Sequence, residues 1–311
     1  MSVRENFLRF AAIPAPSGYE QGRIDCIAQT LHDNDGIKLS HSPQGSLIAH
    51  RPGKGKRIML YAPVDEPGFL TTQADANGFS RFLTLGQCEP AALIGREVAS
   101  TQGRRGVILP SAVKEYSELK SENLLIDAYE EISESEKFAL ASFARELGGC
   151  LYAASITGSL CAAILVELLA QAGGDCDLFC VFAAQHALGA RDAAPAAYLC
   201  RPEYTISLST LEAEDMPGGS EKIALNAGAY VLLTAGRVPV DPQLLEKLCS
   251  LGAKPVCGIA PELPIVQAGG AGCRTGGVAI AVRGLRAHAG KAALSDCDTV
   301  TQLLCRLLEE W

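Results

Sequence analysis

The run Leu60–Leu70, "LYAPVDEPGFL", decides the fold, because the chain changes character inside it. Before it, "RIMLYAPV" (57–64) is a strand-like apolar run that stops at a pair of acids, Asp65 and Glu66. After it, "GFLTTQADANGFSRFLTLG" (68–86) is two β-rich runs joined at Asn77-Gly78, a hairpin signal because both residues tolerate positive φ. A strand of one body thus hands the chain to a second body of short strands.

Working outward from that junction, "VRENFLRFAAI" (3–13) and "YEQGRIDCIAQTLHD" (19–33) space their apolar residues as helices, with "PAPSG" as the stop between them. "GSLIAHR" (45–51) precedes the quoted strand as another. On the other side, "REVAST" and "RRGVILP" continue in short strands. "SESEKFALASFAREL" (133–147) predicts a helix, with Ser133 as N-cap and Glu136 three residues on. From Thr157 the chain alternates between the two element types. A long apolar helix is followed by a buried strand "DLFCVFAAQ", a helix in "GARDAAPAAYL" and a strand "YTISLST". The helices "DPQLLEKLCSLG" and "DTVTQLLCRLLEEW" come last. This alternation implies an α/β fold, a sheet covered by helices on both faces. Residues 1–69 and 156–311 are expected to form it, with a mainly β insertion at 70–155.

Composition narrows the function classes. The chain has 311 residues, 48% of them apolar and 20% charged, and a net charge of −8. No basic field invites nucleic acid or an anionic membrane. The first residues are charged and carry no signal-peptide core. The most apolar window, "SLCAAILVELLAQAG" (159–173), is too short to span a bilayer and contains Glu167. A soluble cytoplasmic protein is expected. Its twelve cysteines are scattered, and Cys176 and Cys180 lack the paired clusters of a zinc site. They read as small apolar residues. The glycine-rich "QAGGAGCRTGG" (267–277) has no phosphate-loop pattern. His32, His41 and His50 read as surface residues.

The order of landmarks resembles the tetrahedral aminopeptidases, the glutamyl-aminopeptidase-like family of two-metal exopeptidases. The landmarks are "IPAPSGYE", "GSLIAHRPG", "APVDEPGFL", "ANGFSRFLTLG", "EPAALIGREV", "NLLIDAYEEISESE", "VFAAQHALGARDAAPAAYLCRP" and "EDMPG". The resemblance implies a zinc-peptidase-like α/β domain interrupted by a β-rich dimerisation domain. It also implies two zinc or cobalt ions held by two His, two Asp and a Glu, beside a separate general-base Glu. Such paired metals lower the pKa of a shared water until it is a nucleophile.

Carried over residue by residue, the resemblance puts the first metal His at Pro63, with the Asp two residues on kept as Asp65. The metal-bridging Asp falls at Thr157. The general-base Glu and metal Glu fall at His186 and Ala187, the next metal Asp at Ser209, and the last metal His at His288. Proline and alanine side chains cannot coordinate, and neutral hydroxyls are poor partners for two dications. The resemblance therefore implies a family member that has lost metal-dependent peptidase activity, with no cofactor and no catalytic residue. It would be a ligand-binding or non-catalytic subunit. The alternative is an active aminopeptidase with rearranged ligands for zinc or cobalt. His186, His288 and Asp65 are the remaining candidates for a single metal, and Ser209, His186 and Asp65 for a serine-type triad. The expected partners are further copies of the chain, at least a dimer through residues 70–155. An active paralogue in a hetero-oligomer and a peptide or small ligand are also expected.

Overall fold

Four parallel strands stand at the centre of a twelve-stranded sheet in the computed structural model. The structure describes residues 2–32, 34, 36–75, 78–111, 119–128, 130 and 132–311. The central strands are Asp177–Ala183, Arg57–Pro63, Tyr204–Glu212 and Arg274–Arg283, adjacent in that order. Arg57–Pro63 and Arg274–Arg283 are buried almost throughout, which parallel strands covered on both faces require. Leu47–Arg51 and Lys38–His41 extend the sheet on one side, all antiparallel. Gly290–Ala293, Cys150–Ala153 and Arg145–Leu147 extend it on the other.

Alternation along each strand separates the two faces. Leu60 and Ala62 enter a large core with residues of the helices Val3–Ala11, Gln21–Leu31, Ile156–Gln171 and Leu294–Glu309. Met59 and Tyr61 point the other way, to a core with the helices Ala193–Cys200 and Glu262–Ala268. The expected helix after Thr157 is Ile156–Gln171, and its near-continuous burial suits its apolar circumference. Among the described residues no helix is long and apolar enough to cross a membrane. Cys161, Cys180 and Cys297 lie in the large core, where burial pushes their thiols far above the usual range. Cys257 departs from the expectation by being exposed.

A closed barrel is inserted between Pro63 and the sheet's later strands. It is built from Gly68–Ala74, Phe79–Leu85, Leu124–Ala128, Arg105–Pro110, Glu97–Ser100 and Lys137–Leu140. Phe69, Phe82, Val98, Ile108, Ile126 and Phe138 fill its core. The expected hairpin pairs Ala74 with Ser80, and Gly78 has a φ of 88°. Asn77 lies outside the described residues.

The helix expected over 133–147 is not formed. Ser133 N–H does reach Glu136 Oε2 at 3.4 Å, as a helix cap would, but in a turn that leads into strand Lys137–Leu140. That strand pairs with both Gly68–Ala74 and Glu97–Ser100, closing the barrel. Tertiary pairing on both edges outweighs the local helix signal. Glu136 itself is buried, and Arg104 Nη1 meets its carboxylate at 2.7 Å. The Arg145–Leu147 and Cys150–Ala153 hairpin, which sequence alone places in the insertion, hydrogen-bonds into the large sheet.

Candidate functional site

The central strand Arg57–Pro63 ends at the site. Pro63 lies in register with Ala183, and Val64 N–H closes the ladder on Ala183 O at 3.0 Å. Beyond the strand, Asp65 is buried and its Oδ2 accepts from Ser17 Oγ at 2.6 Å and from Ala187 N–H at 2.8 Å. Its Oδ1 is buried without a partner among the described residues. Glu66 turns the opposite way, to Arg23 Nη2 at 2.9 Å.

The turn after strand Asp177–Ala183 carries Gln185 and Ala190 at positive φ, 54° and 51°. This turn brings Ala187 to Asp65 and sends His186 elsewhere. His186 Nε2 lies 3.0 Å from Glu262 Oε2, and Ser207 Oγ donates to the other oxygen of the same carboxylate. Glu262 is fully buried at the start of its helix. Burial opposes charge on His186, but the hydrogen bond and charge of Glu262, helped by Asp65, outweigh it. The imidazolium is held above its ordinary pKa.

Thr157 Oγ1 lies 2.7 Å from Thr210 Oγ1, so Thr210, and not Ser209, is the strand residue that meets it. Ser209 Oγ is buried without a partner among the described residues. The hydrogen bonds of a Ser209–His186–Asp65 triad are therefore not made: His186 is taken by Glu262, and Asp65 by Ser17 and Ala187. His288 sits in the turn before strand Gly290–Ala293, with φ 48°. Burial, and then the charge of Arg96, push its pKa down, which keeps it neutral at neutral pH.

Asp65, Thr157 and His288 are brought to one cleft of about 810 Å³. Its walls are the start of the Ile156–Gln171 helix, the turn 285–290 and the barrel segment 84–89. Arg96 ties barrel to sheet by donating from Nη2 to Ala287 O at 2.8 Å. Gly86 faces Ala187 so closely that a Cβ added to it would lie 2.9 Å from the Ala187 Cβ. Among the described residues, no group of three or more His, Cys, Asp or Glu is arranged to hold a metal ion. The partners Ser17, Ser207, Thr210 and Glu262 carry no signal in the sequence. Glu262 in "APELPIV" looks like any acid at a helix start.

The model of the M42 glutamyl aminopeptidase family matches residues 45–303. A lysyl aminopeptidase of Pyrococcus furiosus is 23% identical over 329 residues, covering 96% of this chain and 94% of that protein. An aminopeptidase structure from the archaeon Desulfurococcus kamchatkensis superposes with a TM-score of 0.90 at 21% identity, covering 99% and 95%. The TET1 peptidase of Pyrococcus horikoshii, described as assembling into a tetrahedron or a large octahedral shell, gives 0.82 at 20%, covering both chains fully (100%). The structural likenesses carry the zinc-peptidase-like fold with its inserted barrel, and the match over most of its length places the chain in the M42 glutamyl aminopeptidase family.

Proposed function

We propose that this family member does not carry out two-metal peptide hydrolysis and acts as a ligand-binding, non-catalytic subunit. The observation that carries this reading is the donor set around Asp65. Its carboxylate is met by the hydroxyl of Ser17 and the backbone N–H of Ala187, a residue with no side-chain donor. The hydroxyl of Thr157 is turned to Thr210. Two dications about 4 Å apart need carboxylates between and around them, and these residues do not fit that pair. His186, which the resemblance sets at the general-base position, is engaged with a buried acid through Nε2.

The family and the names of the relatives favour the second reading, an active aminopeptidase with rearranged ligands. Metal content separates the two. After dialysis against zinc or cobalt, the chain is expected to keep well under one ion per molecule, and aminoacyl-anilide hydrolysis to stay at background with either metal. Two retained ions, or metal-dependent turnover, would establish the second reading instead.

The assembly of the TET1 peptidase supports a further part of the proposal, that this chain forms at least a homodimer through the segment of residues 70–155, which contains most of the barrel. The barrel keeps a complete closed sheet and its own core, although its segment 84–89 supplies only a rim of the cleft. Light scattering at micromolar concentration is expected to give at least twice the monomer mass of 32.7 kDa. A strict monomer would end this part of the reading. A non-catalytic subunit could also join an active paralogue, which co-purification of the two chains would reveal.

A further inference from the structure

The start of the Ile156–Gln171 helix forms a wall of the cleft through Ser155, Ile156, Thr157 and Gly158. An α-helix of this length presents roughly half a positive charge at its N-terminus, on N–H groups that have no acceptor within the helix. Such ends are commonly met by a capping side chain or an acid in the first turn. Neither is present: Ser155 makes no side-chain cap and the first turn has no acidic residue. Ser155 Oγ is buried without a partner among the described residues, and the Thr157 hydroxyl is spent on Thr210.

A second, independent element points to the same space. His288 lines the cleft from the turn 285–290, is only 6% exposed, and has an Nε2 with no hydrogen-bond partner among the described residues. Buried ring nitrogens are ordinarily bonded, so this one calls for an explanation. Its backbone sits at φ 48°, a conformation that side chains larger than glycine adopt at a cost and that clusters at ligand sites. Arg286, two residues earlier, brings an exposed guanidinium to the same wall. Three acids also face the cleft. Glu66 is neutralised by Arg23, Glu89 is on the exposed barrel rim, and Asp65 has Oδ2 committed to Ser17 and Ala187 while its Oδ1 has no partner among the described residues.

We propose that this end of the cleft binds a small anion, a carboxylate or phosphate group seated on the N-terminus of the Ile156–Gln171 helix and reached by His288 and Arg286. The inference rests on the non-metal reading above and gives its ligand a chemical class. Where the resemblance implies a carboxylate built into the chain at position 157, threonine leaves the positive helix end for a ligand's charge.

Titration calorimetry and thermal melts on the full chain test this, with inorganic phosphate in one arm and succinate in the other, at ionic strength held constant with chloride. Saturable binding in at least one arm is expected, and the tighter arm names the group. Arg286→Ala and His288→Ala should each weaken it about tenfold, the loss of one charge-assisted hydrogen bond. Thr157→Asp, which returns a fixed carboxylate to the helix end, should abolish it. Arg286 is exposed, so its variant folds even if the other two do not. No saturable binding of either anion, or binding unchanged in Arg286→Ala and Thr157→Asp, would overturn the proposal. Zinc content, measured on the same samples, keeps the two levels apart. Anion failure without zinc uptake removes this inference alone, whereas two bound zinc ions remove the non-metal reading as well.

Discussion

Replacing Arg23 with alanine is expected to cost about 3–5 kcal/mol, the usual loss when one partner of a buried ion pair is removed. Arg23 is 1% exposed and spends its whole guanidinium on the strand end that leads to the site. Nε donates to Phe10 O at 3.1 Å, Nη1 to Val64 O at 2.8 Å, and Nη2 to Ile13 O at 2.7 Å and Glu66 Oε1 at 2.9 Å. The same carboxylate oxygen accepts from Ala15 N–H at 2.9 Å, and Pro16 bridges to Glu66 in parallel. One side chain therefore fastens the N-terminal segment against Asp65 and Glu66. Its removal takes the side-chain donor from Val64 O and Ile13 O, while Phe10 O keeps Ile13 N–H, and takes the counter-charge from a carboxylate that burial already pushes toward protonation. Urea titration followed by circular dichroism reads the loss. Arg23→Lys should recover little, since a single ammonium cannot reach four acceptors spread in a plane. A double variant, Arg23→Met with Glu66→Leu, should recover part of it, because the buried charge goes while the carbonyls stay unpaired. A loss below about 1 kcal/mol in Arg23→Ala, the level of a surface ion pair, would show that the clamp is not structural.

Much of this architecture is legible in the sequence because it depends on periodicity and length. The apolar runs at 57–64, 177–185 and 204–210 are too short for helices and too continuous for half-exposed strands, and they are three of the central parallel strands. The 133–147 segment shows where that logic stops. Ser133 and Glu136 supply a helix-start pattern, and the expected contact between them forms, but the segment's fate is set by two barrel neighbours more than thirty residues away in sequence. Local propensity amounts to a few tenths of a kcal/mol per residue, less than the closure of a barrel core.

The cleft was legible in a different way. Asp65, Thr157 and His288 come from distant parts of the chain, and only the likeness of their flanking motifs places them together. Their actual partners follow from geometry that no spacing rule contains. Ser17, 48 residues before Asp65, reaches it because the 15–17 segment runs beside the strand end. Thr210 meets Thr157 because alternation turns Ser209 to the other face. Asp65 is the acceptor that holds the Ala187 turn.

His186→Ala is expected to destabilise the fold by about 3 kcal/mol at neutral pH, toward the lower end for a buried pair because the imidazole is partly exposed. The reason lies with Glu262, whose side chain is 0% exposed and whose only cationic contact among the described residues is His186. The hydroxyl of Ser207 stays, but a hydroxyl leaves the buried charge uncompensated. The neighbouring Tyr61 phenol, also fully buried, has its pKa raised by burial and then by Glu262, Asp192 and Asp65, and brings no positive charge to Glu262. Glu262→Gln isolates the electrostatic part, since the amide keeps the shape and both neighbours. The folded pKa of His186 is raised, so the charged pair contributes its full stability below the unfolded value of about 6.5 and loses it as pH rises through the folded value. The stability gap between wild type and Glu262→Gln should therefore be wide at about pH 6 and narrow by about pH 9, read from denaturant melts at both. A gap that widens with pH would mean the imidazole is neutral in the fold, and a gap of the same size at both would mean that the pair's charge does nothing for stability. The expected order, wide and then narrow, follows only if a buried acid on the Glu262–Ala268 helix holds His186 charged in the place where the resemblance puts a carboxylate.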